Sequence, residues 1–189
     1  MPMPPAAPRR PLHTRTVVTR GFLRDDGMWD IEGELLDVKE YVYEDRERGA
    51  MPPGQPEHLM RVRLTLDQAM VVRACYIDMA EIPFDYCAGA ANGQDRLVGV
   101  TLGAGWRQAV GVAMKGIKGC THVREVLLAM ATTAFQTVSA YREQFEPESG
   151  MPQGTNGELP FFLNGCRSWD VAGPVVAKFF PEYARKKAP

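Results

Sequence analysis

The residue types able to do chemistry are densest in Lys115-Gly116-Ile117-Lys118-Gly119-Cys120-Thr121-His122-Val123-Arg124-Glu125, where two glycines and two lysines lead into a cysteine, a threonine and a histidine. A strongly periodic apolar segment follows at once, so this is a predicted helix start. Free backbone N–H groups and the helix dipole favour negative charge there. A cysteine in that position ionises more readily than a free one, and a thiolate is both a nucleophile and a metal ligand. His122 and Glu125, three apart, share a helix face. With Ala129, Thr132, Gln136 and Ser139 they form a polar stripe beside the apolar one, which lines a cavity or faces solvent. Lys118 next to the helix N-terminus suits a carboxylate, phenolate or phosphate. Lys118, Gln136 and Trp106 are the candidate substrate-binding residues. The stretch is not a phosphate-binding P-loop, because the G-x-x-x-x-G-K-[ST] string is missing.

Cys87, Cys120 and Cys166 each lie in or beside a glycine-containing turn. Together with His122 they have the composition of a four-ligand site for zinc or iron. No C-x-x-C supports it, and a set of buried inert thiols is the plainer alternative. Cys75 sits inside a strand pattern and reads as a small core residue. His58, in Pro56-Glu57-His58-Leu59-Met60, is a candidate base, with an acidic residue such as Glu32 as its partner in proton transfer. Spacing does not choose between Glu32, Asp30 and Asp26. The plain reading of that acidic face is cross-strand pairing with Arg61 and Arg63. His13, at the edge of the N-terminal leader, is given no role.

These residues need elements to hold them. Trp29, Ile31, Gly33 and Leu35 alternate with Asp30, Glu32 and Glu34, the period of a half-buried strand. Asp25-Asp26-Gly27 before them signals a hairpin turn. Glu44–Pro56 reads as an exposed loop. Arg61–Asp67 alternates again, with Val71–Ile77 as its antiparallel partner. Pro83–Gln94 is a loop, Leu97–Leu102 a short apolar strand and Trp106–Met114 a short helix. Val123, Leu127, Met130, Ala134, Val138, Tyr141 and Phe145 recur at steps of three and four, one face of a helix of about six turns. Pro147–Pro160 breaks it, and Phe161–Tyr183 adds a last strand and a short helix. The fold class predicted is α+β, a mostly antiparallel sheet packed against one long helix and shorter helices. Residues 1–12 read as a disordered Pro-rich leader, 13–183 as a single α+β domain and 184–189 as a basic tail.

The 189 residues carry 22 basic and 23 acidic side chains, a net charge of −1, so there is no global basic field for nucleic acid. No apolar run approaches the roughly 20 residues that span a membrane. The leader lacks the apolar core of a signal peptide, which predicts a cytoplasmic protein with unpaired thiols. A homo-oligomer is left open.

Several blocks together resemble a bacterial family known as domain of unknown function 2889. They are residues 24–33, Asp37-Val38-Lys39, His58-Leu59-Met60, residues 63–67, Pro83 with Cys87, Gly105-Trp106, Gly119-Cys120-Thr121-His122, Ala134-Phe135-Gln136 and Gly165-Cys166. The resemblance covers residues 15 to 183, with mild departures at Lys115-Gly116 and Val123. It implies a bacterial enzyme of aromatic-compound catabolism, a carbon–carbon lyase acting on a small aromatic substrate. A fainter architectural similarity links Cys87, Cys120 and Cys166 to the three cysteines of NifU-type iron–sulfur scaffold proteins. It implies the alternative function, an iron–sulfur or persulfide binding and transfer module.

Overall fold

The computed structural model describes residues 2–146, 159–160 and 162–185. They form two compact units, Met1–Ala134 and Phe135–Pro189, with the division falling inside the long helix.

The first unit is built on strands β1 (His13–Leu23), β2 (Trp29–Lys39), β3 (Tyr43–Asp45), β4 (Gly49–Met51), β5 (Pro56–Leu66) and β6 (Val72–Glu81). Four of them make an antiparallel sheet in the order β1-β2-β5-β6, while β3 and β4 form a separate hairpin. The β1–β2 turn closes as the Asp-Asp-Gly signal requires. Gly27 N–H donates to Arg24 O at 3.0 Å, and Asp26 Oδ1 accepts from Met28 N–H at 3.1 Å. The alternation of β2 becomes alternate burial: Trp29, Ile31, Gly33, Leu35 and Asp37 face inward. From β5, Met60, Val62, Leu64 and Leu66 join them. On the other face Glu32 lies opposite Arg63 and Glu34 opposite Arg61, at 2.8 and 3.0 Å.

The helices are α1 (Trp106–Ala113), α2 (Thr121–Phe145) and α3 (Pro174–Phe179). Within the first unit, α2 lays Val123, Val126, Leu127 and Met130 on the apolar sheet face, all with almost no exposed surface. Gly33 lets it come close. A Cβ there would stand 2.4 Å from Val126 Cγ1 and 2.9 Å from Met130 Sδ. One turn further on, Thr133 and Thr19 of β1 share a hydrogen bond of 2.5 Å. The protein is thus mixed α+β, with an antiparallel sheet, one long helix and shorter ones, as alternation and periodicity predict.

The second unit has a small aromatic core of its own. Phe162, Leu163, Val171 and Val176 are buried, with Phe135, Trp169 and Phe180 packed against them.

Local predictions differ in four places. The presumed loop after Tyr43 holds the β3–β4 hairpin, because the Asp45 carboxylate accepts from the N–H groups of Glu47 and Arg48 and closes the turn. Residues 85–97 wind into a 3-10 helix. The strand expected over Leu97–Leu102 is reduced to one bridge, Val71 to Thr101, since Gly99 turns the chain with φ +85°. Among the described residues after Pro160 there are turns and α3 but no strand. The break at 147–158, Phe161 and most of the basic tail lie outside the described residues. Among the described residues no helix is long and apolar enough to cross a membrane.

Gly33→Ala is expected to cost about 1–3 kcal/mol through overpacking against α2. Urea denaturation should show this as a lower midpoint at unchanged slope. An unchanged midpoint would mean that α2 does not seat on β2.

Candidate functional site

The inward stripe of β2 ends in a charge. Continuing the two-residue period from Leu35 brings Asp37 to the core face, and its carboxylate is buried. A buried ion must be paired and hydrogen bonded to be tolerated. Register supplies the partners, because Asp37 lies opposite Arg15 of β1 on one side and His58 of β5 on the other. Arg15 grips both oxygens, Nε to Oδ1 and Nη2 to Oδ2, each at 2.8 Å. His13 Nε2 reaches Oδ1 at 3.0 Å. His58 Nδ1 lies 3.3 Å from Oδ2. That nitrogen is buried and makes no hydrogen bond.

The first turn of α2 completes the cluster. Cys120 is the N-cap, its carbonyl accepting from Arg124 N–H at 3.0 Å. The lead-in explains its glycine: a Cβ on Gly119 would collide with the backbone of Met114 at 2.5 Å. Two residues into the helix, His122 stacks on His58 with ring centroids 3.9 Å apart. Its Nδ1 shares a hydrogen bond with Cys120 Sγ at 3.6 Å, and its Nε2 lies 3.5 Å from Asp37 Oδ2. Glu125, one turn on, binds the remaining arm of Arg15 at 2.6 Å. The line Cys120–His122–Asp37 therefore has the order of a nucleophile or base, an imidazole and the carboxylate that orients it.

Ionisation follows from these contacts. Burial pushes the Asp37 carboxyl up, but hydrogen bonds from Arg15 and His13, together with the charge of Arg15, more than offset it and hold the group below its usual range. Burial likewise raises the Cys120 thiol. The hydrogen bond with His122 and the backbone N–H groups of Val123 and His122 outweigh that and lower it. His122 is raised by the Cys120 hydrogen bond, against burial. His58 is lowered by burial and by the neighbouring charge of His122.

Beside this cluster lies a cavity of about 750 Å³, walled by His58, Cys120 and His122 and, on the apolar side, by Met60, Phe84 and Ile117 among others. Tyr86 and Ile117 stand at it almost fully exposed.

The predicted site residues fall into place unevenly. His58, Cys120 and His122 come together, and Cys87 lines the same cavity. Glu125 touches the cluster only through Arg15. Glu32 does not join His58, because the strand period puts it on the opposite face of the sheet, paired with Arg63. Trp106 is buried, and its Nε1–H donates to Leu127 O at 2.9 Å, a core role. Lys118 is exposed and is not part of the cavity wall. Gln136 and Cys166 belong to the second unit, where Gln136 lines another cavity and Cys166 is exposed. Among the described residues, the group of three or more His, Cys, Asp and Glu side chains with ligand atoms within 4.8 Å of one another is Asp37, His58 and His122. It shares only His122 with the expected set Cys87, Cys120, His122 and Cys166.

Sequence reasoning missed Asp37, Arg15 and His13. The signal for Asp37 was present: an acid on the inward parity of β2. Arg15 and His13 become visible only once β1 is in register with it.

A family model described as protein of unknown function (DUF2889) matches residues 13–136. No curated protein and no solved structure shows a significant match to the chain.

All four cysteines are free, but their surroundings differ. Cys75 is buried and its thiol is pushed up to about 12 by desolvation. Iodoacetamide is expected to modify Cys120 long before Cys75, read by peptide mass spectrometry of timed samples. Modification of Cys75 first, in folded protein, would contradict the placement of both.

Proposed function

We propose, from the premise that the chain belongs to the DUF2889 family, that it is a small-molecule enzyme of lyase type whose substrate is a small aromatic compound held in the cavity beside Cys120. One observation carries the reading: an apolar and aromatic cavity has the Cys120–His122 pair in its wall, backed by a buried carboxylate. Pockets for small organic molecules combine apolar walls with a few convergent polar groups. Met60, Met79, Phe84 and Tyr86 suit the faces of an aromatic ring.

A carbon–carbon lyase acting beside an aromatic ring takes the proton from a side-chain hydroxyl. The neighbouring carbon–carbon bond then breaks to leave a carbonyl, and its electron pair spreads into the ring until a proton returns to carbon. In this chain Cys120 is the group placed to take the first proton as thiolate and to give it back as thiol. The hydrogen bond with His122 holds the sulfur, and the Asp37 carboxylate, fixed by Arg15, stands 3.5 Å from the other imidazole nitrogen. Four free cysteines fit the reducing bacterial cytoplasm that belongs to this reading.

The test is a panel of phenolic compounds with hydroxylated side chains, analysed by liquid chromatography and mass spectrometry. At least one member should be cleaved to two fragments in equal amounts. Cys120→Ser should lower kcat by about 10²–10⁴-fold, the usual contribution of a positioned acid–base group, with KM changed little. If no member is cleaved and none raises the melting temperature, the reading fails. It also fails if Cys120→Ser retains full turnover.

A further inference from the structure

The structure places one ligand atom each from Asp37, His58 and His122 around a common point, and we propose that these three side chains bind a divalent transition metal, zinc or ferrous iron, with its open coordination position facing the cavity. The inference concerns the site of the preceding reading and rests on its being the working centre. It supplies what that chemistry lacks, a positive partner for the charge that builds on the substrate, since Lys118 is not part of the cavity wall.

The geometry is that of a ligand set. Asp37 Oδ2 is 3.3 Å from His58 Nδ1 and 3.5 Å from His122 Nε2, and all three ligand atoms lie within 4.8 Å of one another. Ligands at about 2.0–2.2 Å from a tetrahedral metal are separated by about 3.3–3.6 Å along each edge. The two approaches to Asp37 Oδ2 match those edges. They are longer than good hydrogen bonds between the same atoms, which fall near 2.7–3.2 Å.

The surroundings supply independent support. His58 Nδ1 is a buried ring nitrogen without a hydrogen bond, 3.3 Å from the carboxylate oxygen it does not bond. Buried polar atoms without partners are rare, and a metal ligand is one explanation for them. Each of the other two ligands is fixed from its far side, as metal ligands usually are. His122 uses its second nitrogen, Nδ1, on Cys120 Sγ. Asp37 is held through Oδ1 by Arg15 Nε and His13 Nε2, while Arg15 Nη2 reaches Oδ2 itself at 2.8 Å and would share that oxygen with the metal. Two histidines and one carboxylate, with the protein supplying three ligands, form the donor set of catalytic zinc and of non-haem iron sites. His58 and His122 both line the cavity, so the remaining position opens towards it. The set contains no cysteine. Cys120 stays outside the metal, as the anion that receives the His122 N–H.

The experiment uses the full chain stripped with chelator and then titrated with Co²⁺ as a visible probe and with Zn²⁺ as competitor. One equivalent of Co²⁺ should bind and give ligand-field bands in the visible, without the intense near-ultraviolet band of a cobalt–thiolate bond, and Zn²⁺ should displace it. His58→Ala and His122→Ala should each weaken binding by roughly 100-fold or more while keeping the native circular dichroism spectrum. Cys87→Ser and Cys166→Ser should leave binding unchanged. Absence of Co²⁺ binding by the folded wild-type protein overturns the proposal. A strong thiolate band, or binding that survives both histidine variants and falls in Cys87→Ser, overturns it as well. Turnover that persists at full rate in metal-free protein would refute the metal and leave the lyase reading standing. A protein that binds one Co²⁺ through these histidines but cleaves nothing refutes the lyase reading alone.

Discussion

Asp37 and Arg15 form the ion pair on which the rest of this arrangement depends. The carboxylate is buried at the end of an otherwise apolar stripe, where an unpaired charge would cost several kcal/mol. Arg15 offsets that cost with two parallel bonds of 2.8 Å from the edge strand next door. The guanidinium is itself held on its far side by Glu125 of α2. A single charged chain therefore ties the edge of the sheet to the N-terminal end of α2. It also fixes the one anion around which His13, His58 and His122 gather. Without the pair, β2 would carry an uncompensated charge on its core face, and the imidazoles would lose their common neighbour.

The two faces of the sheet show what burial does to charge. On the solvent side, Arg61 with Glu34 and Arg63 with Glu32 make ladders whose side chains remain in water, and such pairs contribute little to stability. On the covered side one carboxylate of the same chemical type acts on Arg15, His58 and His122 at once. The candidate chemistry belongs on the second face for that reason. Exposed charges are screened, whereas buried ones act on one another through a poorly screening medium.

Most of this architecture was legible in the sequence. The period of two in Trp29–Leu35 and the three–four spacing along Val123–Phe145 are direct imprints of burial, and both elements formed where they were expected. His58, Cys120 and His122 were recognisable by type and local setting. The partners were not, for a physical reason. Whether an acid serves a histidine depends on strand parity and register. Glu32 and Asp37 sit on the same strand but point to opposite faces, and Arg15 and His13 enter only through the pairing of β1 with β2. Trp106 has the composition of a binding residue, but it is spent on the core through a bond to Leu127 O. Local misreadings have similar causes. A run such as Leu97–Leu102 is apolar because it is partly covered, yet Gly99 denies it the extended backbone of a strand.

The span of the Arg15–Glu125 bond, 110 residues along the chain, has a consequence for how the molecule assembles. The hairpins β1–β2 and β5–β6 are local and close over short loops. The cluster instead draws on residues 13–15, 37, 58 and 120–122, and its last members arrive only when α2 docks. Loop closure over such a distance is entropically modest in equilibrium terms but slow to be reached. A chain interrupted before residue 120 can pair its strands, yet it would expose the apolar face and leave Asp37 without its imidazole from the helix. Completion of the cluster therefore waits on the docking of α2.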